Sequence, residues 1–408
     1  VPQTDDEAGP AKHDLVLAGG TVIDPANGRN GRADVAIAGG RISGVSAELG
    51  RLQGRKTIDV SGYLVTPGLV DIHTHVAVTN RKSSFPIEPT VNTVSSGVTT
   101  IVDAGTVGAD GFELFKSQVV DTAPLRVLSF LNIVRAGMDG PHEDDESEME
   151  PELAAEVALA NPETVVGIKT AHYWVMKDFD ARHEPWTAVN AALRAGELCG
   201  LPVMVDSYPW IPGRSYPELI LERMRPGDIH THVFAKQFPL LDRFRGVYDY
   251  MFEAQARGVV FDLGHGEGSF WFRNAVPAVS QGFLPDSIST DLHRKNVNGP
   301  VVDLLSTMNK ILNIGVPLER VIRMVTQRPA DEIGRPDLGR LSVGLDADIA
   351  VLALEVGSYS FVDCGGYRLS ANEQLECRMT FRSGEVIYNP RGLGLDSWRV
   401  DAARTAIE

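Results

Sequence analysis

The chain has 408 residues, 43% hydrophobic and 23% charged, a balance that supports a large core and more than one domain. Its formal net charge of −16 disfavours nucleic acid and anionic membrane surfaces as partners. No apolar run approaches the roughly 18 residues of a membrane span, and Cys199, Cys364 and Cys377 are scattered, with no C-x-x-C and no disulfide framework.

Residues 1–13 are polar and loop-like. They read as a mature end after signal-peptide removal or as an arbitrary boundary, and export is preferred over a cytoplasmic location. Residues 14–24 ("DLVLAGGTVID") and 34–45 ("DVAIAGGRISGV") are twin β-hairpin signals, each an alternating apolar run with a Gly-Gly turn, and "TIDVSGYLVTPG" continues the pattern. From residue 67 to 335 the texture alternates. Strands are expected at 69–73, 99–105, 125–133, 164–170, 201–206, 227–233, 258–266 and 286–292. Helical patterns such as "PWTAVNAALRAGELCG" and "FRGVYDYMFEAQARG" lie between them and end in Gly. Eight strands alternating with helices predict a (β/α)8 barrel. Residues 336–392 return to short β runs, so the two β ends are expected to form one small domain beside the barrel, followed by a tail over 393–408. The acidic run "HEDDESEMEPE" (142–152) reads as a solvated loop near a helix N-terminus.

Chemistry in such a barrel sits at the C-terminal ends of the strands. The ionisable residues there are His73 and His75 on strand one, Lys169 on strand four, Asp206 on strand five, His230 and His232 on strand six, His265 after strand seven, and Asp291 followed by His293 on strand eight. In "DIHTH", His73 and His75 face the same way from a strand, so two imidazoles can share one ion. His230 and His232 alternate about Thr231 and are expected to share a face. Bland readings stand beside these. Lys169 follows the apolar "TVVGI", and a buried amine is ordinarily paired with a carboxylate. His230 and His232 fit hydrogen-bonded core positions, and Asp291 fits a helix cap. His172 and Tyr173 either line the same mouth or pack under a loop. The glycines of "GHGEGSF" precede no Lys and form no G-x-S-x-G elbow, and no G-x-G-x-x-G opens a helix after the first strand. Phosphate-loop, acyl-enzyme and dinucleotide chemistries are therefore unsupported.

"TPGLVDIHTH", "GIKT", "THVF" and "STDLH" together resemble the amidohydrolase superfamily of metal-dependent hydrolases, and the terminal β segments match over nearly the whole chain. "GIKT", "FDLGHGEGSF" and "PDSISTDLH" look most like its deacetylase, dihydroorotase-like group. The resemblance implies a (β/α)8 barrel with a small β-sandwich built from both chain ends. It implies two divalent metals, zinc first and manganese or iron as alternatives. His73, His75 and Asp291 would bind the first. Lys169, carboxylated by carbon dioxide, would bridge both, and His232 would bind the second. One position departs: Asp206 stands where most such enzymes carry a histidine. A carboxylate also ligates zinc and favours harder ions. Two metals with an Asp ligand, one metal only, or a different ligand such as His172 or His230 are the open outcomes, and the first is preferred.

The implied reaction is hydrolysis of an amide or ester by a hydroxide bridging the metals, with Asp291 carrying the proton and His265 or Tyr173 steadying the oxyanion. Dihydroorotase fits poorly, because the position of its carboxylate-binding arginine is Ala77. An N-acyl amino acid or acylated hydroxy acid is the expected substrate, with Arg81, Lys82 or Arg214 holding its carboxylate and His172, Tyr173 and His265 as further substrate contacts. The alternatives are a cyclic imide or lactone hydrolase, and a non-catalytic binding protein on the same fold. Expected partners are a small molecule and further copies of the chain.

Overall fold

The computed structural model describes residues 12–78, 85–138, 141–175, 177–206 and 213–397. Alternating apolar runs give β1 (His13–Asp24), β2 (Arg29–Ala38), β3 (Arg41–Ser46), β4 (Gly54–Asp59) and β5 (Leu64–Pro67). Seven parallel strands follow: β6 (Leu69–Thr74), β7 (Val98–Gly108), β8 (Arg126–Asn132), β9 (Val165–Lys169), β10 (Val203–Val205), β11 (Ile229–His230) and β12 (Val260–Phe261). The chain ends in β13 (Ile349–Val362), β14 (Arg368–Arg382) and β15 (Glu385–Tyr388). These last three join β1 to β5 in one mixed sheet through the antiparallel pair β13–β5.

The eighth barrel segment is present but is not a regular strand. Residues 286–292 touch their neighbours through isolated parallel bridges, Asp262 to Ser287 and Thr74 to Leu292. His265 N donates to Ser289 O (3.1 Å) on one side, and His75 N donates to Leu292 O (2.9 Å) on the other, which closes the ring. The reason for its irregularity lies in its composition. Ser287 and Ser289 donate to the buried carboxylate of Asp262, Thr290 donates to Asp71, and Asp291 takes a left-handed φ of 51°. Side-chain bonds replace part of the ladder here.

Inside the barrel the lower layer is apolar. Val70, Val102, Leu128, Phe130, Met204, Ile229 and Val260 form one buried cluster, closed off by Ala330, Ile333 and Leu338. Two residues on from Met204, Ile229 and Val260, and one past the ends of β10, β11 and β12, come Asp206, Thr231 and Asp262, on the same side by the two-residue period. The apolar floor thus carries a polar layer directly above it. Helices Thr187–Cys199 and Asp249–Arg257 cover the outside, and each stops at a left-handed glycine, Gly200 and Gly258. Among the described residues no helix is long and apolar enough to cross a membrane.

Candidate metal centre

His73 and His75 leave the end of β6 and meet Asp291 from the closing segment. One donor atom from each lies within 4.8 Å of the others. Asp291 Oδ1 is 3.0 Å from His75 Nε2 and 3.6 Å from His73 Nε2. On the other side of Asp291, His232 Nε2 lies 4.0 Å from its Oδ2 and 3.3 Å from Asp206 Oδ2. Lys169 Nζ is 3.7 Å from the same Asp206 oxygen, and its side chain is only 2% exposed. The structure therefore brings His73, His75, Lys169, Asp206, His232 and Asp291 to one place at the strand ends.

The imidazoles are oriented from behind. Thr231 Oγ1 donates to Asp262 (2.7 Å), so the same oxygen must accept from His73 Nδ1 (2.9 Å). That assigns the proton of His73 to Nδ1 and leaves Nε2 a bare lone pair. His232 Nδ1 donates to Gly264 O (2.6 Å), which frees its Nε2 in the same way. His75 Nδ1 shares a hydrogen bond with Thr106 Oγ1 (2.8 Å). Outer partners that fix Nδ1 and present Nε2 are the arrangement metal-binding histidines use. Two glycines make room for it. A Cβ on Gly264 (φ +47°) would sit 2.2 Å from Thr231 Oγ1, and one on Gly266 (φ +57°) would sit 2.6 Å from Asp291 Oδ2.

Charge follows the same logic. Burial acts to raise the carboxyl of Asp291, but His73, His75 and His232 outweigh it and hold the group well below the usual carboxylate range. Asp206 is likewise held low against burial by His232, His172 and Lys169. Burial, with Lys169 adding, pushes His73 down to about 4, so the ring is a neutral ligand at ordinary pH. Two ionised carboxylates and bare imidazole nitrogens in one cluster suit divalent cations.

A cavity of about 490 Å³ opens over this cluster. Besides His73, His75, Asp206, His232 and Asp291, its lining includes Phe85, Met138, His172, Lys236, Glu267 and His293. His172 donates from Nε2 to Asp206 Oδ2 (2.7 Å). Lys295 N donates to His293 Nδ1 (3.2 Å), so neutral His293 carries its proton on Nε2, and its ring stacks on Phe85 at 4.3 Å. His293 stands among the strand-end residues read from sequence, without an assigned role, whereas Lys236 does not; its only signal is position, four residues after His232.

Other expected contacts lie elsewhere. His265 is fully buried behind Gly266, where Lys310 Nζ donates to its Nε2 (2.6 Å) and its Nδ1 donates to Gly266 O (3.0 Å). Tyr173 is 1% exposed and spends its hydroxyl on Glu146 (2.5 Å). Arg214 is 8% exposed and donates to the carbonyls of Pro185 and Tyr173. None of these three lines the cavity. Arg81 and Lys82 lie outside the described residues. His230 and His232 do not share a face. β11 ends at His230, and the left-handed φ of 64° at His232 swings that ring into the site. His230 stays in the core against Phe238 and Tyr216 and is pushed down to about 4 by burial. The acidic run is not simply solvated either. Glu143 accepts from His172 N (3.1 Å), and Asp144 accepts from Trp174 N (2.6 Å).

Comparison with known proteins agrees with this geometry. Residues 272–387 match the model of the amidohydrolase family. A deacetylase from Brucella anthropi is 32% identical over 363 residues, 86% of this chain and 88% of that protein. The crystal structure of an adenine deaminase superposes with a TM-score of 0.84 at 29% identity, covering 93% of this chain and 100% of that one. A dihydroorotase structure gives 0.77 at 28% identity, covering 92% and 99%. The chain therefore belongs to the amidohydrolase family and is a metal-dependent hydrolase acting on carbon–nitrogen bonds.

Proposed function

We propose that the enzyme is a two-metal deacylase that removes the acyl group from N-acyl amino acids or acylated hydroxy acids. The observation that carries the substrate class is Lys236, a cavity-lining cation whose Nζ stands 5.4 Å over the Trp271 ring. No carboxylate forms an ion pair with it among the described residues. An amine beside the metal cluster is a ready partner for a substrate carboxylate.

His73, His75 and Asp291 would hold one cation and Asp206 and His232 the other, with Lys169, as its carbamate, shared by both. Zinc is the first choice, with manganese or iron favoured to the extent that Asp206 hardens the second site. When bound, such cations polarise a carbonyl and lower the pKa of water. The protein's own side chains do the rest. Asp291 takes the proton of the attacking water and returns it to the leaving nitrogen or oxygen. His293, with its proton on Nε2, donates to a substrate oxygen, and Phe85 fixes the plane of its ring. The acyl group of the substrate packs beside Phe85 and Met138.

Ring opening of a cyclic amide, the activity that the name of the dihydroorotase structure points to, is the second reading. The residue two after His75 is Ala77, 4% exposed, and it offers no cation for a ring carboxylate. A panel of N-acetyl amino acids, acetylated hydroxy acids, hydantoins and lactones tests the choice. Carboxylate-bearing acyl compounds are expected to turn over. Lys236→Met is expected to lower their kcat/KM about 10- to 100-fold, the value of one charged hydrogen bond. Uncharged acyl analogues should be indifferent to the change. Faster opening of the rings, or an equal loss on charged and uncharged substrates, would count against the proposal.

The carbamate has its own check. Metal content per chain is expected to rise toward two when the protein is produced with added bicarbonate and zinc. In Lys169→Ala it should stay near one under the same conditions. Two metals in Lys169→Ala would refute the carbamate bridge.

A further inference from the structure

Asp206 occupies the position where a histidine ligand is expected, and it does not stand alone. His172, from the loop after β9, donates from Nε2 to Asp206 Oδ2 at 2.7 Å. Behind His172, Glu143 Oε1 accepts its backbone N–H at 3.1 Å, and Glu143 Oε2 lies 3.5 Å from its Nδ1. The segment that carries Glu143 grips the loop of His172 at two more points, Asp144 on Trp174 N (2.6 Å) and Glu146 on the Tyr173 hydroxyl (2.5 Å). The Glu143 side chain is 17% exposed, so this is a built contact and not a surface coincidence.

We propose that Glu143, His172 and Asp206 form one unit that does the work of the missing histidine: Asp206 supplies the ligand oxygen of the second cation, and His172, clamped by Glu143, aims it. The physical need is specific. A histidine on β10 would be a neutral ligand with its own outer partner. A carboxylate there adds a negative charge and a rotatable head group. A hydrogen bond from His172 to one oxygen fixes the rotation and draws off part of the charge, as outer partners do for other metal-binding carboxylates. Glu143 in turn sets the ring of His172. The acidic run, unexplained as a solvated loop, gains a role as the frame of this unit. His172 is thus a positioning residue for the second cation and not a ligand of the first.

The inference rests on the two-cation reading above, and zinc binding separates their failures. Zinc affinity and stoichiometry would be measured by competition with a chromophoric chelator, in bicarbonate, on the wild type, His172→Ala, His172→Gln, Glu143→Gln, Asp206→His and the double variant Asp206→His/His172→Ala. His172→Ala is expected to weaken the second site about 10- to 100-fold and leave the first unchanged. His172→Gln, which keeps an N–H donor, should lose less. Glu143→Gln should fall between them. Asp206→His should bind a second zinc without help, so that adding His172→Ala costs it less than threefold. Equal losses from His172→Ala in both backgrounds, or none in either, would overturn the coupling while leaving two cations in place. A wild type that binds only one zinc would overturn both this inference and the two-metal reading. His172→Gln and Glu143→Gln preserve shape and answer the question should the alanine variant fold poorly.

Discussion

Replacing Asp291 by asparagine is expected to lower kcat/KM by about 10³-fold at saturating metal, the middle of the range for losing a positioned proton carrier. The group is suited to that task by its surroundings. Its Oδ1 faces His75 Nε2 at 3.0 Å and His73 Nε2 at 3.6 Å. Those rings, with His232, overcome burial and keep the carboxyl ionised far below the usual range. Asparagine keeps the oxygen acceptor and loses the basicity. It also tolerates the left-handed φ of 51° as well as aspartate does, so the fold should survive. The measurement is steady-state kinetics on the best substrate of the panel, with melting temperature and metal content followed in parallel. A melt within a few degrees of wild type, two metals and a thousandfold loss would assign the proton to Asp291. Activity within tenfold of wild type would remove it from that role.

How much of this centre was readable from the chain follows from what sequence encodes. His73, Lys169, Asp206, His232 and Asp291 are far apart in sequence, yet each stands at or just past the end of a barrel segment, three of them after a short apolar run. A (β/α)8 barrel converts that single property, the end of a strand, into proximity. What a strand end does not encode is the direction of the side chain beyond it. The alternation of His230 and His232 implied one face, and one left-handed residue separated them. Tyr173, Arg214 and His265 follow strands closely, but each is turned away by a bond to a distant partner: Glu146, the carbonyls of Pro185 and Tyr173, and Lys310. The acidic run misled for the same reason. Its role depends on contacts to His172 and Trp174 about thirty residues away, which no local pattern contains. Lys236 is hidden by the opposite effect. It lies just past a cluster residue, where a loop gives no period to read.

Glu332, at the closed end of the barrel, provides the sharpest test of the electrostatic argument because nothing there resembles the site above. It ends the helix Gln327–Glu332, whose Ala330 belongs to the floor cluster. Its side chain is 1% exposed, and Arg328 Nη2 comes no closer than 3.6 Å. Neither carboxyl oxygen has a well-formed hydrogen-bond partner among the described residues; Ser287, whose hydroxyl donates to Asp262 at 3.0 Å, adds only a small downward pull. Burial pushes the group up to about 8, against the pull of Arg328 and with Asp286 adding to the rise. Asp291 and Asp206 are ionised in an equally buried place because imidazoles and Lys169 surround them, so the sign of the shift is set by neighbours and not by depth. The consequence for stability has a definite direction. With the folded value near 8 and the ordinary value 4.5, the folded state binds more protons than the unfolded one between those pH values. Stability contributed by protonated Glu332 is fully present below the ordinary value and is lost as pH rises through the folded one. At about 1.4 kcal/mol per pH unit, with the slope halved where pH meets the folded value, the loss from pH 5 to pH 8 is about 3.5 kcal/mol. Glu332→Gln is neutral throughout and should not suffer it. Denaturant unfolding of both proteins at pH 5, 6, 7 and 8 should therefore show the difference, variant minus wild type, rising steadily in favour of the variant. Any fixed cost of the amide shifts the whole line without changing its slope. A flat difference across that window would mean that Glu332 is ionised in the folded protein and that Arg328 neutralises it across the 3.6 Å gap.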